Sequence, residues 1–272
     1  MGDQGADGRS PVTDVREVPF WVTHGGGSVA ALLTMPQRSR RLVALLQVGG
    51  GVPRFHRNRA WVYAARQLAA RGVATVRMDY PGTGDSTGAA ALNLGRPPVD
   101  AATAVVEAAR LATGIERLGV VGQCLGVRTA IDVATAIGAC DRLALVMPVT
   151  MGPALRGGAG PGMGAVRRAT AGRLGRLKRR ARQHRDRREL RRGADLDPGL
   201  ATLVERADVL VLHGGTSASR AWIHGRAAEL SRASGQHGVE VRELPTVGAT
   251  GFRALEVQLA TRAALVEWFA ET

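Results

Sequence analysis

The chain predicts an α/β fold: a mostly parallel central sheet, opened by an N-terminal antiparallel hairpin, with helices on both faces. Three observations carry this. Continuous apolar runs such as 41–48 and 143–148 alternate with helix-length runs, the pattern of strands buried on both faces. Two extended runs flank Gly25-Gly26-Gly27, which reads as a hairpin. The apolar run 117–121 passes directly into Gly122-Gln123-Cys124-Leu125-Gly126 and then a helix-like run, 127–137. That strand–turn–helix corner is the arrangement that presents a nucleophile.

The elements follow in order. Residues 17–24 and 28–35 form the hairpin, and 41–48 is a strand ending in Gly49-Gly50-Gly51. A helix over 59–71 closes at Gly72, and 73–78 is the next strand. The Ala-rich 99–113 is a helix that stops at Gly114. After the elbow come a buried strand at 143–148, another at 207–212, a helix at 219–233, a last strand at 239–244 and a last helix at 254–270.

Between these, Gly152 to Gly164 is rich in breakers. Arg167 to Arg192 then carries roughly a dozen basic side chains against Asp186 and Glu189. The domain reading is a disordered leader at 1–14, a core at 15–151, an inserted basic helical lid at 152–198, and the rest of the core at 199–272. The basic segment is read as a solvated helix, as a site for an anionic carrier such as an acyl-carrier protein, or as a nucleic-acid surface. No aromatics interleave the basic residues, so there is no stacking platform for single strands. No specific nucleic-acid partner is expected.

The net charge of +14 and pI near 11.5 point to polyanion adhesion. All but one of the basic residues are arginine, with Lys178 the exception, and Ala and Gly are abundant. This bias fits a GC-rich coding genome and weakens a functional reading of the charge. Two cysteines, Cys124 and Cys140, are too few for a disulfide scaffold and suit a reducing cytosol. The polar N-terminus has no signal-peptide core, and no run is long enough to span a membrane. A cytoplasmic location follows as the expectation.

Further motifs carry a resemblance. Arg77-Met78-Asp79-Tyr80-Pro81-Gly82-Thr83-Gly84-Asp85-Ser86-Thr87-Gly88 resembles the turn after the fourth strand of many α/β-hydrolases. Together with the elbow, the glycine triplet and the strand order, the chain after its leader is similar to a Cys-elbow branch of the α/β-hydrolase superfamily. That branch includes exosortase-associated hydrolases and hydrolases of natural-product clusters. The resemblance implies an α/β-hydrolase fold, with the lid inserted after the sixth strand.

It also implies site residues. Cys124 takes the nucleophile position, at the start of a helix whose exposed amides favour thiolate over thiol. The Leu125 amide, with one from Gly50, Gly51 or Val52, would form an oxyanion hole, and Gln123 belongs to the same binding set. The usual partners are missing. The strand at 207–212 runs into His213-Gly214 with no carboxylate, and the final loop holds Thr250 where the resemblance expects histidine. His56 is the candidate substitute base, ahead of His213 and His224; His24, His184 and His237 fall elsewhere. Asp79 and Asp85 read as turn-fixing residues, and Cys140 as a buried small residue.

No Cys/His/Asp/Glu cluster has metal-ligand spacing, and neither a phosphate loop nor a dinucleotide fingerprint is present. No cofactor or metal is expected. The function implied is that of a secondary-metabolism enzyme. It would act on a small-molecule acyl ester or thioester, free or on a carrier protein, by acyl transfer, elimination or hydrolysis through Cys124. The alternatives are an inactive fold that binds a hydrophobic ligand or protein partner, and a non-covalent cyclisation or elimination catalyst.

Overall fold

Strands β1 (Arg16–His24) and β2 (Gly27–Met35) pair antiparallel, with register from Arg16↔Met35 to His24↔Gly27. This is the expected hairpin. The computed structural model describes residues 15–47, 52–88, 98–148, 197–214, 217–245, 252 and 254–270. The expected leader falls outside these residues, as does the expected lid apart from 197–198.

Strands β3 (Arg41–Leu46), β4 (Ala74–Met78), β5 (Arg117–Gln123), β6 (Cys140–Val146), β7 (Asp208–His213) and β8 (Val239–Glu243) complete one sheet, in the order β1-β2-β4-β3-β5-β6-β7-β8. β2 meets β4 antiparallel, and every pairing from β4 to β8 is parallel. β6 begins three residues before the apolar run suggests, because Cys140 is only 2 % exposed and pairs with Leu118.

Helices α1 (Ala60–Ala70), α2 (Val99–Thr113), α3 (Gly126–Ile137), α5 (Ser217–Ser234) and α6 (Leu255–Ala270) lie where the periodicity places them. α2 ends on Gly114 at φ 65°, a left-handed cap that glycine takes without steric cost. The short α4 (Asp197–Leu203) is not anticipated by the sequence reading; its Leu200 and Leu203 are fully buried beside α3.

Period-two alternation along the strands divides the core. Leu42, Ala44 and Leu46 of β3 pack with α2, α3 and α4, whereas Val43 and Leu45 pack with α1 and α6. Both faces of the sheet are thereby covered, and this is why the strands read as unbroken apolar runs. Among the described residues no helix is long and apolar enough to cross a membrane.

Candidate active site at the carboxyl edge of the sheet

Parallel strands all end at one edge, and the crevice beyond that edge is where open α/β sheets place ligands. Here the edge is also where the backbone is strained. Among the described residues five non-glycine residues have positive φ: His56, Asn58, Arg59, Cys124 and Met147. They follow β3, β5 and β6. Each such residue costs about 1–2 kcal/mol, and strain of this kind persists only where the surroundings enforce it.

Cys124 shows what enforces it. Its φ is 57°, and its amide donates to the Val146 carbonyl at 2.9 Å, which locks the corner to the end of β6. The flanking glycines leave no room for a side chain. A Cβ on Gly122 would lie 2.6 Å from the Ala130 Cβ and 2.7 Å from the Gly126 carbonyl and the Val127 Cα. One on Gly126 would lie 2.7 Å from the Gln47 carbonyl oxygen. The elbow is therefore a close approach of β5, α3 and the end of β3. Gln47 continues the contact: fully buried, its Nε2 donates to Met78 O at 2.7 Å and to Val52 O at 3.3 Å. The loop after β3 is tied to the end of β4 by a residue that the motif reading missed; its one signal is a glutamine ending an apolar strand.

Leu125 caps α3, and its amide bonds the Cys124 thiol. Val52 stands beside the same edge through its bond to Gln47; Gly50 and Gly51 lie outside the described residues. Burial pushes the Cys124 thiol upward, against the smaller downward pull of the Leu125 amide. The helix start alone suggested thiolate. Loss of water around the sulfur outweighs it and favours the neutral thiol. Cys140 is pushed further, to about 12, by burial.

His56 lies within the same edge. Its Nε2–H donates to Gln123 Oε1 at 3.2 Å, and its ring packs against Trp61 at 5.4 Å and Phe252 at 5.0 Å. Only 4 % exposed, it is lowered below its ordinary value of 6.5, chiefly by burial. The bond to Gln123 fixes the residue that precedes Cys124, so His56 positions the elbow from the α1 side of the sheet.

A stability prediction follows from this site. The unfolded chain protonates this histidine before the folded chain does, so stability falls as pH drops below 6.5. The slope from this one group is at most about 1.4 kcal/mol per pH unit. Urea midpoints from about pH 7.5 to about 5.5 should fall in the parent and be flatter in His56→Gln. Equal slopes would remove His56 from the acid response.

Asp79 and Asp85 hold the turn after β4. Asp79, fully buried, accepts from the Arg54 amide at 2.6 Å and the Asp85 amide at 3.1 Å, and pairs with the Arg54 guanidinium. Asp85 pairs with the same guanidinium at 2.7 Å. Ser86 Oγ donates to Asp79 O at 2.7 Å and accepts from the Ala30 amide at 2.8 Å. These bonds link β2, β4 and the loop that carries His56.

No protein-family model and no curated protein matches the chain. Solved structures do. Est1E from Butyrivibrio proteoclasticus, with ferulic acid bound, superposes with a TM-score of 0.61 at 19% identity, over 93% of this chain and 100% of that one. Brefeldin A esterase, a bacterial homologue of human hormone sensitive lipase, gives 0.60 at 17% identity, over 96% and 78%. An alpha-beta serine hydrolase homologue from Coxiella burnetii gives 0.57 at 15% identity, over 92% and 96%.

The chain has the α/β-hydrolase fold.

The remaining candidate residues fall at other places in this fold. His213 ends β7 and is buried, without a carboxylate in the described part of the loop that follows. Residues 246–251 of the loop after β8, Thr250 among them, lie outside the described residues. His237 pairs with Asp208 at 3.1 Å at the opposite end of β7. His24 ends β1, which runs in the direction of β4 and so reaches the same edge, but on the outermost strand, four places from β5. His184 lies outside the described residues.

Proposed function

We propose that the protein is a cysteine-centred enzyme acting on an acyl ester or thioester. The observation that carries this is Cys124 held at φ 57° between two glycines whose places admit no side chain. A buried small residue needs no such corner, whereas a presented nucleophile does. The solved structures that share the fold include esterases, which supports acyl chemistry without naming a substrate.

The step balances without a redox partner. The Cys124 sulfur attacks the acyl carbon, a carbon–sulfur bond forms, and the bond to the leaving thiol or alcohol breaks. The thiol proton ends on that leaving group. The Leu125 amide supports the oxyanion, with Val52, Gly50 and Gly51 as the proposed second donors and Gln123 as part of the same pocket. A thioester suits a thiol that starts neutral, because its leaving group is good and little assistance is needed. Release to water is the slow step when no base is engaged, which favours acyl transfer over hydrolysis. Secondary metabolism and a carrier-borne substrate belong to this reading as its expected setting.

Incubation with short acyl thioesters followed by intact-mass measurement tests it. The parent should gain one acyl group that maps to Cys124, and Cys124→Ala should gain none. An unmodified parent, or equal turnover by Cys124→Ala, removes the nucleophile.

The upward shift of the Cys124 thiol favours a second reading, a pocket that binds a hydrophobic ligand or partner without chemistry. In that case Cys124→Ala keeps full ligand affinity and no adduct forms on the parent.

A further inference from the structure

We propose that His213, His224 and Glu243 form a divalent-cation site of zinc type at the carboxyl ends of β7 and β8. Three elements deliver the donors. His213 and Glu243 are register partners on adjacent parallel strands, joined by the Leu244 amide donating to His213 O at 2.9 Å. Along β7 and β8 their side chains fall on the same face as Val209, Val211, Val239 and Val241, the face that α5 covers. His224 comes down from α5, its ring edge-on to that of His213 at 5.9 Å and 73°.

One donor atom from each residue lies within 4.8 Å of the other two. His224 Nε2 and Glu243 Oε1 stand 3.9 Å apart, too long for a hydrogen bond between them. Tetrahedral zinc with bonds of about 2.0–2.1 Å separates its ligands by about 3.4 Å. The remaining closure is small, and the freedom lies in the right places. His213 is 4 % exposed and fixed in the core, whereas His224 and Glu243 are 48 % and 44 % exposed and can adjust by rotamer.

Two imidazoles and a carboxylate are a borderline donor set that suits zinc over magnesium or calcium. Three protein ligands leave a fourth position open to water or a ligand oxygen. The site is two strands from the elbow, about 10 Å by strand spacing. The Cys124 sulfur is not among its donors, so the proposal stands apart from the thiol reading. Residues 213, 224 and 243 are scattered in sequence, so motif spacing could not show them together.

Chelator-treated full-length protein, titrated with Zn²⁺ against a chromophoric competitor, should bind one equivalent. His224→Ala and Glu243→Gln, both half-exposed and so tolerated by the fold, should each weaken binding by at least about ten-fold. Cys124→Ser should bind as the parent does. With Co²⁺ the parent should show visible d–d bands and no thiolate charge-transfer band. Zinc should raise the melting temperature of the parent but not of the two variants. Failure of the parent to bind, variants that bind as tightly as the parent, or a thiolate band would overturn the proposal. A histidine–carboxylate ion pair is then what remains of the cluster.

Discussion

Asp79→Ala should lower the stability of this chain by about 3–5 kcal/mol, the loss typical when one partner of a buried ion pair is removed. Its carboxylate is fully buried and receives the Arg54 guanidinium and the amides of Arg54 and Asp85. Truncation leaves two amides and the Nη1 end of the Arg54 guanidinium without their acceptor. It also empties a slot that is shaped by the absence of a side chain on Gly84, where a Cβ would sit 2.2 Å from Asp79 Oδ2. The melting temperature should fall by on the order of 10 °C. Asp79→Asn keeps the volume and one acceptor, so it should recover part of the loss. Asp85→Ala is the control: its side chain is 63 % exposed, and an exposed pair contributes about 1 kcal/mol or less. Denaturant midpoints for the three variants decide the matter. A loss in Asp79→Ala no larger than in Asp85→Ala would mean that the turn does not depend on the buried carboxylate.

The same residues show how far the sequence reaches. The turn of Asp79 and the corner of Cys124 were legible because each is local: a strand end, glycines at fixed offsets and a helix start determine it within a dozen or so residues. The parallel order was legible because burial on two faces writes itself as unbroken apolar runs. α4 was not, since two apolar contacts, Leu200 and Leu203 against α3, stabilise seven residues and leave no periodic stretch to read.

The corner that carries Cys124 was legible and its surroundings were not. Whether a helix start or burial governs Cys124 depends on water excluded by residues far away in sequence. His56 could be named as a titratable group near the elbow, but not as the partner of Gln123. That bond crosses 67 positions and depends on a loop with three residues at positive φ. His213 stands out in the sequence as a histidine ending an apolar strand. The donors around it come from a parallel register and a packed helix, which only the fold supplies.

The alkylation of Cys124 should be slow at neutral pH and climb steeply through the alkaline range. The thiolate is the reactive form, and burial raises the thiol above its ordinary value of 9.0. The rate should therefore rise about ten-fold per pH unit past that value, where an ordinary thiol would already level off. At neutral pH the native chain should react at least about ten-fold more slowly than the same chain unfolded in guanidinium, whose thiols titrate normally. The signal belongs to Cys124, because Cys140 is buried and pushed up to about 12; native Cys124→Ser should be inert. The sign carries over to stability. Where the unfolded chain releases its thiol protons first, folding weakens, so both cysteines contribute to a loss of stability as pH rises above 9.0. A rate that levels off below neutral pH would mean that the site holds a thiolate at rest and that desolvation does not govern this sulfur. A steep alkaline profile together with an acyl adduct would show a nucleophile that ionises only as substrate arrives. The same profile without an adduct would leave a pocket built around a thiol that does no chemistry.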